Sequence, residues 1–197
     1  MSKTPARSLS VDFKSQFIEM FGDPISNEKN WNYKKISDVA EIILGSTPST
    51  SNPEYWNGSL LWVTPAELTA SSLYIYDTKK HITELGAKAA KLKLCPAETV
   101  LFSTRAPIGK TAIAGKNMYC NQGFKNFKCR ESIRPIYLYY LLSLKKNYFE
   151  RLGTGTTFKE LSRGILEKMY ISVPPLHLQN TFEIMYRQSE KSKFYRR

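Results

Sequence analysis

The sequence predicts an α+β fold in which a compact mixed domain is flanked by one helix at each end. Apolar residues recur at helical spacing over residues 11–21 and again over residues 178–189. Between these stretches, short apolar runs typical of strands alternate with turns rich in glycine, proline and asparagine. Hydrophobic residues make up 42% of the chain, which is enough to bury a core. We therefore expect an N-terminal helix (11–22), a mixed domain (23–173) and a C-terminal helix (174–197).

The first half of the chain predicts one helix followed by short strands and loops. The helix over 11–21 is expected to end at Gly22, because glycine readily adopts a left-handed cap and Pro24 follows soon after. Thr64-Pro65 ends a strand, since proline donates no backbone hydrogen bond and disfavours helix in its predecessor. The other elements expected here are a helical turn that continues as a strand ending at Gly45 (36–44), a loop (46–57) and two strands (60–63 and 73–76).

The second half predicts further short strands and two longer helices. A helix is expected over 83–92 despite Gly86. Pro135 is suited to the first helical position and opens a helix over 136–150, whose residues are apolar on nearly all sides, so we expect it to be buried on two sides. The remaining elements are strands over 99–103, 111–114, 124–129 and 169–173, a short helix over 158–166, and a closing helix after Pro174-Pro175.

The composition favours a nucleic-acid partner and argues against several other classes of protein. Lysine and arginine outnumber aspartate and glutamate by 29 to 17, which gives a net charge of +12. Three cysteines without a CxxC pair, together with two distant histidines, argue against a disulfide scaffold and against a zinc site. No apolar run approaches the roughly 20 residues of a membrane span, and no secretory signal is visible. We therefore expect a reduced, cytoplasmic protein.

The motifs that resemble catalytic sequences are incomplete. Asn52-Pro-Glu-Tyr55 resembles the Asn-Pro-Pro-Tyr motif of amino-methyltransferases, but Glu54 departs from it and no glycine-rich cofactor loop precedes it, so a surface turn is the better interpretation. The loop at 153–157 lacks the Gly-Lys-Ser/Thr of a nucleotide site; it is either a cradle for a backbone phosphate or a plain loop. The residues therefore predict a protein that is not an enzyme and that holds no cofactor or metal.

Several phrases occur in an order that resembles a known family. The phrases are Phe17-Ile-Glu-Met-Phe-Gly-Asp-Pro24, Gly45-Ser-Thr-Pro48, Trp62-Val-Thr-Pro65, Val100-Leu-Phe-Ser-Thr-Arg105-Ala-Pro-Ile-Gly109, Asn121-Gln-Gly-Phe124, Gly155-Thr-Thr-Phe-Lys-Glu-Leu161 and Val173-Pro-Pro-Leu176. Each phrase is weak alone, but the ordered set is specific. It resembles the specificity (S) subunit, HsdS, of type I restriction-modification systems, over nearly the whole chain after about residue 11.

The resemblance implies one DNA target recognition domain flanked by helices of the coiled-coil spacer type. In this family such a domain reads one half of a bipartite double-stranded DNA sequence and has no catalytic activity. The spacer helices dock the methyltransferase (M) subunits, which bind S-adenosylmethionine, and a restriction (R) subunit can join the complex.

Family members usually carry two recognition domains, whereas this chain has one. We therefore expect a half-size subunit, a truncated gene or a recombinable cassette, and a half-size subunit could pair as a homodimer that reads a palindromic target. A nonspecific nucleic-acid-binding module and a cassette without DNA-reading activity are the alternative functions.

The candidate site residues fall into three groups. Contacts with DNA phosphates are expected from basic residues and a small-residue loop: Arg105, Lys110, Lys125, Lys159, Thr154, Thr156 and Thr157. Contacts with base edges are expected from polar loop residues, since amide side chains can pair with adenine: Ser46, Thr47, Asn121 and Gln122. The partner or dimer interface is expected at Phe13, Phe17, Met20, Phe182, Met185 and Tyr186. For the segments around Arg105 and Asn121, the alternative is a turn that only holds the fold.

Overall fold

The computed structural model describes residues 12–69, 73–153 and 160–194, and it begins with helix α1 (Phe13–Phe21). The Asp12 carboxylate caps this helix by accepting a hydrogen bond of 3.1 Å from the amide of Lys14. The helix ends at Gly22, which has a φ of 76° and whose amide donates to the carbonyl of Ile18 at 2.7 Å. The predicted N-terminal helix and its end at Gly22 are confirmed within the described residues.

Short strands make up the body of the domain. Within the described residues they are β1 (Tyr33–Lys35), β2 (Ala40–Leu44), β3 (Trp56–Val63), β4 (Tyr74–Ile75), β5 (Lys80–Ile82), β6 (Val100–Phe102), β7 (Thr111–Ala114), β8 (Tyr119–Cys120), β9 (Lys125–Cys129) and β10 (Tyr170–Ser172). The seven predicted strands are confirmed as β2, β3, β4, β6, β7, β9 and β10, but β3 begins at Trp56, so the loop predicted over 46–57 ends at Tyr55. The strands β1, β5 and β8 were not predicted, because each spans two or three residues and depends on a partner distant in sequence.

The strands form three sheets within the described residues. The largest has the order β2-β9-β6-β7-β4, a second has the order β5-β3-β8, and β1 pairs with β10. Strands β3 and β8 run parallel, with Val63 opposite Cys120, so the chain leaves both strands at the same edge. Strand β2 runs antiparallel to β9, with Leu44 opposite Lys125, so the end of β2 lies beside the start of β9. These pairings bring the loops after β2, β3 and β8 together.

In the part of the chain that the structure describes, the remaining α-helices are α2 (Ile36–Val39), α3 (Glu84–Ala89), α4 (Pro135–Leu144), α5 (Lys146–Leu152), α6 (Arg163–Lys168) and α7 (Leu176–Phe194), and two 3₁₀ helices lie at Pro53–Tyr55 and Pro65–Glu67. The helix predicted over 136–150 is correct in starting at Pro135, but it is interrupted at Lys145 and continues as α5. The helix predicted over 158–166 is corrected to α6, because the Ser162 hydroxyl caps it by accepting from the amide of Ile165. Residues 158–159 lie outside the described residues.

Helices α1, α4 and α7 share one aromatic core. The ring of Phe182 in α7 lies 5.7 Å from that of Phe17 in α1 and 5.3 Å from that of Tyr140 in α4. Phe17 and Phe182 are fully buried, and they belong to the same core cluster as Val100 and Phe127 of the main sheet. The two terminal helices therefore pair with each other, and their contact lies against the domain. Their aromatic residues complete the core of the domain itself.

The described residues contain neither a membrane-spanning helix nor a cluster of potential metal ligands. Among residues 12–69, 73–153 and 160–194, no helix combines the length and the apolar composition needed to cross a membrane. No group of three or more histidine, cysteine, aspartate or glutamate side chains in the same ranges is placed to hold a metal ion.

Candidate nucleic-acid interface

The predicted polar residues converge on one cleft, which we call the loop cleft. It has a volume of about 480 Å³ and lies where the loops after β3, β6 and β8 meet. Its lining consists of Thr64, Pro65, Ala66, Arg105, Ala106, Pro107, Lys110, Asn121, Gln122 and Gly123. Four of the eleven predicted DNA-contacting residues are in this lining, and the Ser46 backbone and the Thr47 side chain contact residues 120 and 122 beside it. The structure therefore brings together side chains that are up to 75 positions apart in the sequence.

The loop after β2 is held against the loop after β8 by backbone contacts. The Gly45 amide donates to the carbonyl of Phe124 at 3.2 Å, and the Ser46 amide donates to that of Cys120 at 2.9 Å. A Cβ atom at position 45 would lie 1.8 Å from the carbonyl oxygen of Asn121, so only glycine fits between these two backbones. The indole of Trp62 donates to the carbonyl of Ser46 at 3.1 Å. Thr47 is thereby placed to donate a hydrogen bond from its hydroxyl to the side-chain oxygen of Gln122.

Asn121 and Gln122 have different roles in the turn they share. The Asn121 side-chain oxygen accepts a 2.9 Å hydrogen bond from the amide of Gly123, which closes an Asx turn. Part of its hydrogen-bonding capacity therefore holds the loop, in keeping with the alternative interpretation of this segment. The Gln122 side chain is exposed beside the cleft. The Gln122 oxygen also accepts a hydrogen bond, from Thr47, but its greater exposure makes Gln122 the better placed of the two amides to meet a base edge.

Two cations line the cleft from the loop after β6. This loop is closed by Ser103, whose hydroxyl donates to the carbonyl of Pro107 at 2.8 Å and accepts from the amide of Lys110 at 2.9 Å. The ammonium group of Lys110 donates to the carbonyl of Pro65 at 3.1 Å, across the cleft. Arg105 is exposed at the cleft wall. The cleft therefore has a cationic side and a polar side.

Lys125 is placed differently from the other predicted phosphate contacts. Only 8% of this residue is exposed, and its ammonium group donates to Glu160 at 2.7 Å and to the Thr104 hydroxyl at 3.1 Å. Its charge is satisfied inside the protein, next to the cleft wall. A direct contact between Lys125 and DNA stays a prediction, and the geometry favours a supporting role.

Glu160 also binds Arg105, and it is not among the site residues predicted from the sequence. Its second carboxylate oxygen accepts a 3.0 Å hydrogen bond from Nε of Arg105. Burial alone would raise the pKa of Glu160, but the hydrogen bonds from Lys125 and Arg105 outweigh burial and lower this pKa below its ordinary value. The carboxylate is therefore charged at neutral pH. Nothing in the local sequence could have revealed this cluster, because Arg105 and Glu160 are 55 residues apart.

Glu67 is a second functional residue that the sequence analysis missed. Its carboxylate accepts from the amide and the hydroxyl of Thr64 at 2.8 and 2.7 Å, and from the amide of Lys79 at 2.7 Å. These contacts fix the segment that forms the Thr64–Ala66 wall of the cleft. The signal was present, since threonine followed three residues later by glutamate is typical of a capping box.

The remaining predicted phosphate contacts are not placed by the structure. Thr154, Thr156, Thr157 and Lys159 lie outside the described residues. Glu160 forms an antiparallel bridge with Arg105, and the Leu161 amide donates to the carbonyl of Thr104 at 3.0 Å. Glu160 and Leu161 are thus anchored beside the cleft.

The six predicted interface residues pack together where α1 meets α7. The ring of Phe13 lies 5.0 Å from that of Tyr186, and Phe13, Phe17 and Phe182 are buried within the chain. These three rings stabilise the fold and are covered by their own chain, which corrects their assignment to a partner surface. The half-buried members are Met20, Met185 and Tyr186, for which a contact with a partner stays a prediction.

Comparisons with known proteins give the relationships of this chain. A family model described as the type I restriction modification DNA specificity domain matches residues 28–186. The chain is 41% identical over 150 residues to the type I restriction enzyme MjaIX specificity subunit of Methanocaldococcus jannaschii, covering 74% of this chain and 34% of the relative. It is 26% identical over 160 residues to the type I restriction enzyme HindI specificity subunit of Haemophilus influenzae, and this match covers 79% of this chain and 34% of the relative. The chain thus spans about a third of the length of these curated relatives.

Solved structures share the fold. The HsdS subunit of Thermoanaerobacter tengcongensis superposes with a TM-score of 0.65 at 20% identity, covering 91% of this chain and 42% of that one. A chain from a study of complex assembly and conformational transition of the type I restriction-modification system gives a TM-score of 0.65 at 22% identity, covering 93% and 45%. The fold resemblance and the family match agree with the ordered motifs of the sequence. This chain belongs to the type I restriction-modification DNA specificity domain family.

Proposed function

We propose that this chain reads one half-site of a double-stranded DNA target as a recognition domain of a type I restriction-modification specificity subunit. The observation that carries this proposal is the convergence of Arg105, Lys110 and Gln122 on the loop cleft, with Ser46 and Thr47 beside it. Cations attract and position the phosphate backbone, whereas amides and hydroxyls distinguish base edges. The cleft offers both kinds of group within one cavity, in a chain of the specificity-domain family.

The net charge of the chain supports a polyanionic partner. The excess of 12 positive charges attracts duplex DNA of any sequence and favours a fast encounter. Sequence selection then has to come from groups held in fixed positions. The backbone contacts of Gly45 and Ser46 and the turn at Asn121 supply this rigidity.

We further propose that methylation and cleavage belong to partner subunits and that this chain contributes recognition only. The expected partners are a methyltransferase (M) subunit and possible further subunits, including a restriction (R) subunit. The exposed apolar side chains of Ile18 on α1 and Ile184 on α7 add to the surface for docking, together with the half-buried Met20, Met185 and Tyr186, since Phe13, Phe17 and Phe182 are buried. A second copy of this chain would supply a second recognition domain and make the target palindromic.

Selection from random duplexes tests this function. The purified chain is incubated with random double-stranded DNA near physiological salt, alone and with a modification subunit, and the bound DNA is sequenced. We expect enrichment of one short half-site, or of two inverted copies if the chain dimerises. Absence of enrichment in both conditions would contradict the proposal.

A nonspecific nucleic-acid-binding module is the second candidate function, and the net charge of +12 favours it. Such a module binds chiefly through phosphates, so its affinity is independent of sequence. Equal affinity for unrelated duplexes, with a strong dependence on salt, would support this candidate over sequence-specific recognition.

A further inference from the structure

One carboxylate connects the two cationic side chains next to the loop cleft. Glu160 accepts from Nζ of Lys125 at 2.7 Å and from Nε of Arg105 at 3.0 Å. The side chain of Lys125 is 10% exposed, that of Glu160 33% and that of Arg105 49%. Glu160 therefore lies at the boundary between the protein interior and the cleft, and it binds one cation on each side.

The backbone around Glu160 is fixed by hydrogen bonds that join three segments distant in sequence, its own included. The Leu161 amide donates to the carbonyl of Thr104, and Leu161 is fully buried. The Thr104 amide in turn donates to the carbonyl of Gly123 at 2.8 Å. This chain of contacts ties Glu160 to the loop after β6 and to the loop after β8. The carboxylate is consequently held at a fixed position relative to both walls of the cleft.

The contact at Nε determines how Arg105 can act. A guanidinium group has five N–H donors, and Glu160 engages the one nearest the aliphatic stem. The other four are on the two terminal nitrogens, so fixing Nε limits the directions in which these four can point. Without Glu160, an arginine that is half exposed would sample many rotamers.

The same contact limits how strongly the cleft attracts phosphates in general. Glu160 neutralises one of the two positive charges of Arg105 and Lys125. Removing its charge would leave both cations without a counterion and would raise their attraction for any nucleic-acid backbone. Specificity is a difference between two affinities, so an increase in nonspecific binding lowers it.

We infer that Glu160 is a positioning residue of the loop cleft. It orients Arg105 and restrains the attraction of Arg105 for phosphates, so that the affinity depends on the sequence of the bound DNA. This inference rests on the proposed function. It assigns Glu160 a role in discrimination between sequences and no contact with a base.

The test compares Glu160→Gln with a matched control, Glu167→Gln. Glu167 accepts a 2.6 Å hydrogen bond from Nε of Arg163 on helix α6, so both variants remove the same charge from a carboxylate paired with an arginine. The probes are the duplex most enriched in the random selection and a scrambled duplex of the same composition. The affinity of each variant for each probe is measured over a series of salt concentrations.

We expect Glu160→Gln to bind the scrambled duplex about eightfold more tightly at 0.1 M salt, because each additional phosphate contact steepens the salt slope by about 0.9. We expect its ratio of selected to scrambled affinity to fall by about tenfold, while Glu167→Gln keeps the wild-type ratio. If Glu160→Gln and Glu167→Gln give the same ratio and the wild type discriminates, the inference is wrong and the proposed function stands. If the wild type binds both probes equally, the proposed function and the inference both fail.

In Glu160→Gln the buried Lys125 loses its charged partner, which could prevent folding. A second variant therefore keeps the inference testable. Arg105→Lys keeps the positive charge and leaves the pair of Glu160 and Lys125 intact. A lysine has no planar fork, so it cannot keep the arrangement of donors that Glu160 imposes. We expect unchanged affinity for the scrambled duplex within about twofold and a reduced ratio of selected to scrambled affinity. An unchanged ratio in this folded variant would overturn the inference.

Discussion

The loop cleft and a second cleft of similar size differ in how their charges are balanced. The second cleft, which we call the helix cleft, has a volume of about 450 Å³ and lies between helix α7 and the segments 96–99 and 128–135. It is lined by four cations and three carboxylates, namely Lys128, Arg130, Arg134, Arg187, Glu98, Glu131 and Glu183. The lining of the loop cleft has two cations and no carboxylate. Even with Glu160 and Lys125 counted, the loop cleft has three cations to one carboxylate, a larger excess of positive charge than the four to three of the helix cleft.

The charges of the helix cleft are used to hold the fold together. Arg187 donates to Glu183 at 2.7 Å and to Glu98 at 3.4 Å, and Arg134 donates to Asn180 at 2.6 Å. The contacts with Glu98 and Arg134 attach α7 to the segment before β6 and to the start of α4. The comparison shows that a count of basic residues does not locate a polyanion site, because the carboxylates nearby decide how large the local excess of positive charge is. The predictions below separate the two clefts, from the largest expected effect to the smallest.

Gly45→Ala has the largest expected effect, since the added Cβ would lie 1.8 Å from the carbonyl oxygen of Asn121. The two loops that form the polar side of the loop cleft would have to move apart. We expect the free energy of unfolding, measured by urea denaturation, to fall by about 3 kcal/mol. Gly164→Ala is the control, because a Cβ at that position in α6 has no heavy atom within 4 Å and alanine favours a helix. Equal stability of the two variants would contradict the close packing of these loops.

Arg105→Gln and Arg130→Gln form a matched pair, one in each cleft. Both arginines are exposed and each variant removes one positive charge. We expect Arg105→Gln to weaken binding of the selected duplex about eightfold at 0.1 M salt, with a salt slope shallower by about 0.9, since one phosphate contact is lost. Arg130→Gln should change the affinity by less than about twofold, because the helix cleft is not the binding site. Fluorescence anisotropy over a salt series measures both, and a larger loss in Arg130→Gln would assign DNA binding to the helix cleft.

Arg187→Gln removes the central cation of the helix cleft and should affect stability rather than binding. Its side chain is 48% exposed, so solvent screens its ion pairs and we expect the free energy of unfolding to fall by only about 0.5–1 kcal/mol. Affinity for the selected duplex should stay at the wild-type value. A loss of affinity without a loss of stability would show that the helix cleft takes part in recognition.

The pH dependence of stability is expected to report on Glu160. The pKa of this carboxyl is lowered in the folded state, so its contribution is complete above the ordinary value of 4.5 and is lost as the pH falls through the lower, folded-state pKa. The difference in free energy of unfolding between wild type and Glu160→Gln should therefore shrink as the pH falls below 4.5. Urea titrations over a range of pH measure this difference, and a constant difference down to pH 3 would contradict the ion pairs of Glu160.

The secondary structure could be predicted where its signals are local. Helix α1 has an apolar face and a terminal glycine, and β7 was predicted with its observed bounds. Strand β8 has two residues and exists because Cys120 pairs with Val63 of β3, a contact that no local pattern contains. Its pairing is nevertheless what places Asn121 and Gln122 in the cleft. The predicted polar residues thus came together, but their geometry depends on contacts between distant segments.

The environment of individual charged side chains could not be predicted from the sequence either, because it also depends on contacts between distant segments. Lys125 and Arg105 have similar sequence surroundings, since each lies in or beside a strand and either within a family motif or directly after one. Only the fold shows that Lys125 is buried and Arg105 exposed. Both residues pair with Glu160, which lies in a segment far along the chain. Charge patterns in a sequence therefore indicate the class of partner, whereas pairing in the structure indicates which cations can meet it.

Photo-cross-linking tests the central claim, that the loop cleft holds DNA, most directly. A benzophenone amino acid is placed at position 122 in the loop cleft or at position 130 in the helix cleft, and each protein is irradiated with the selected duplex. The claim predicts cross-links from position 122 to bases inside the half-site and little cross-linking from position 130. Cross-links from position 130 to the half-site, with none from position 122, would contradict it.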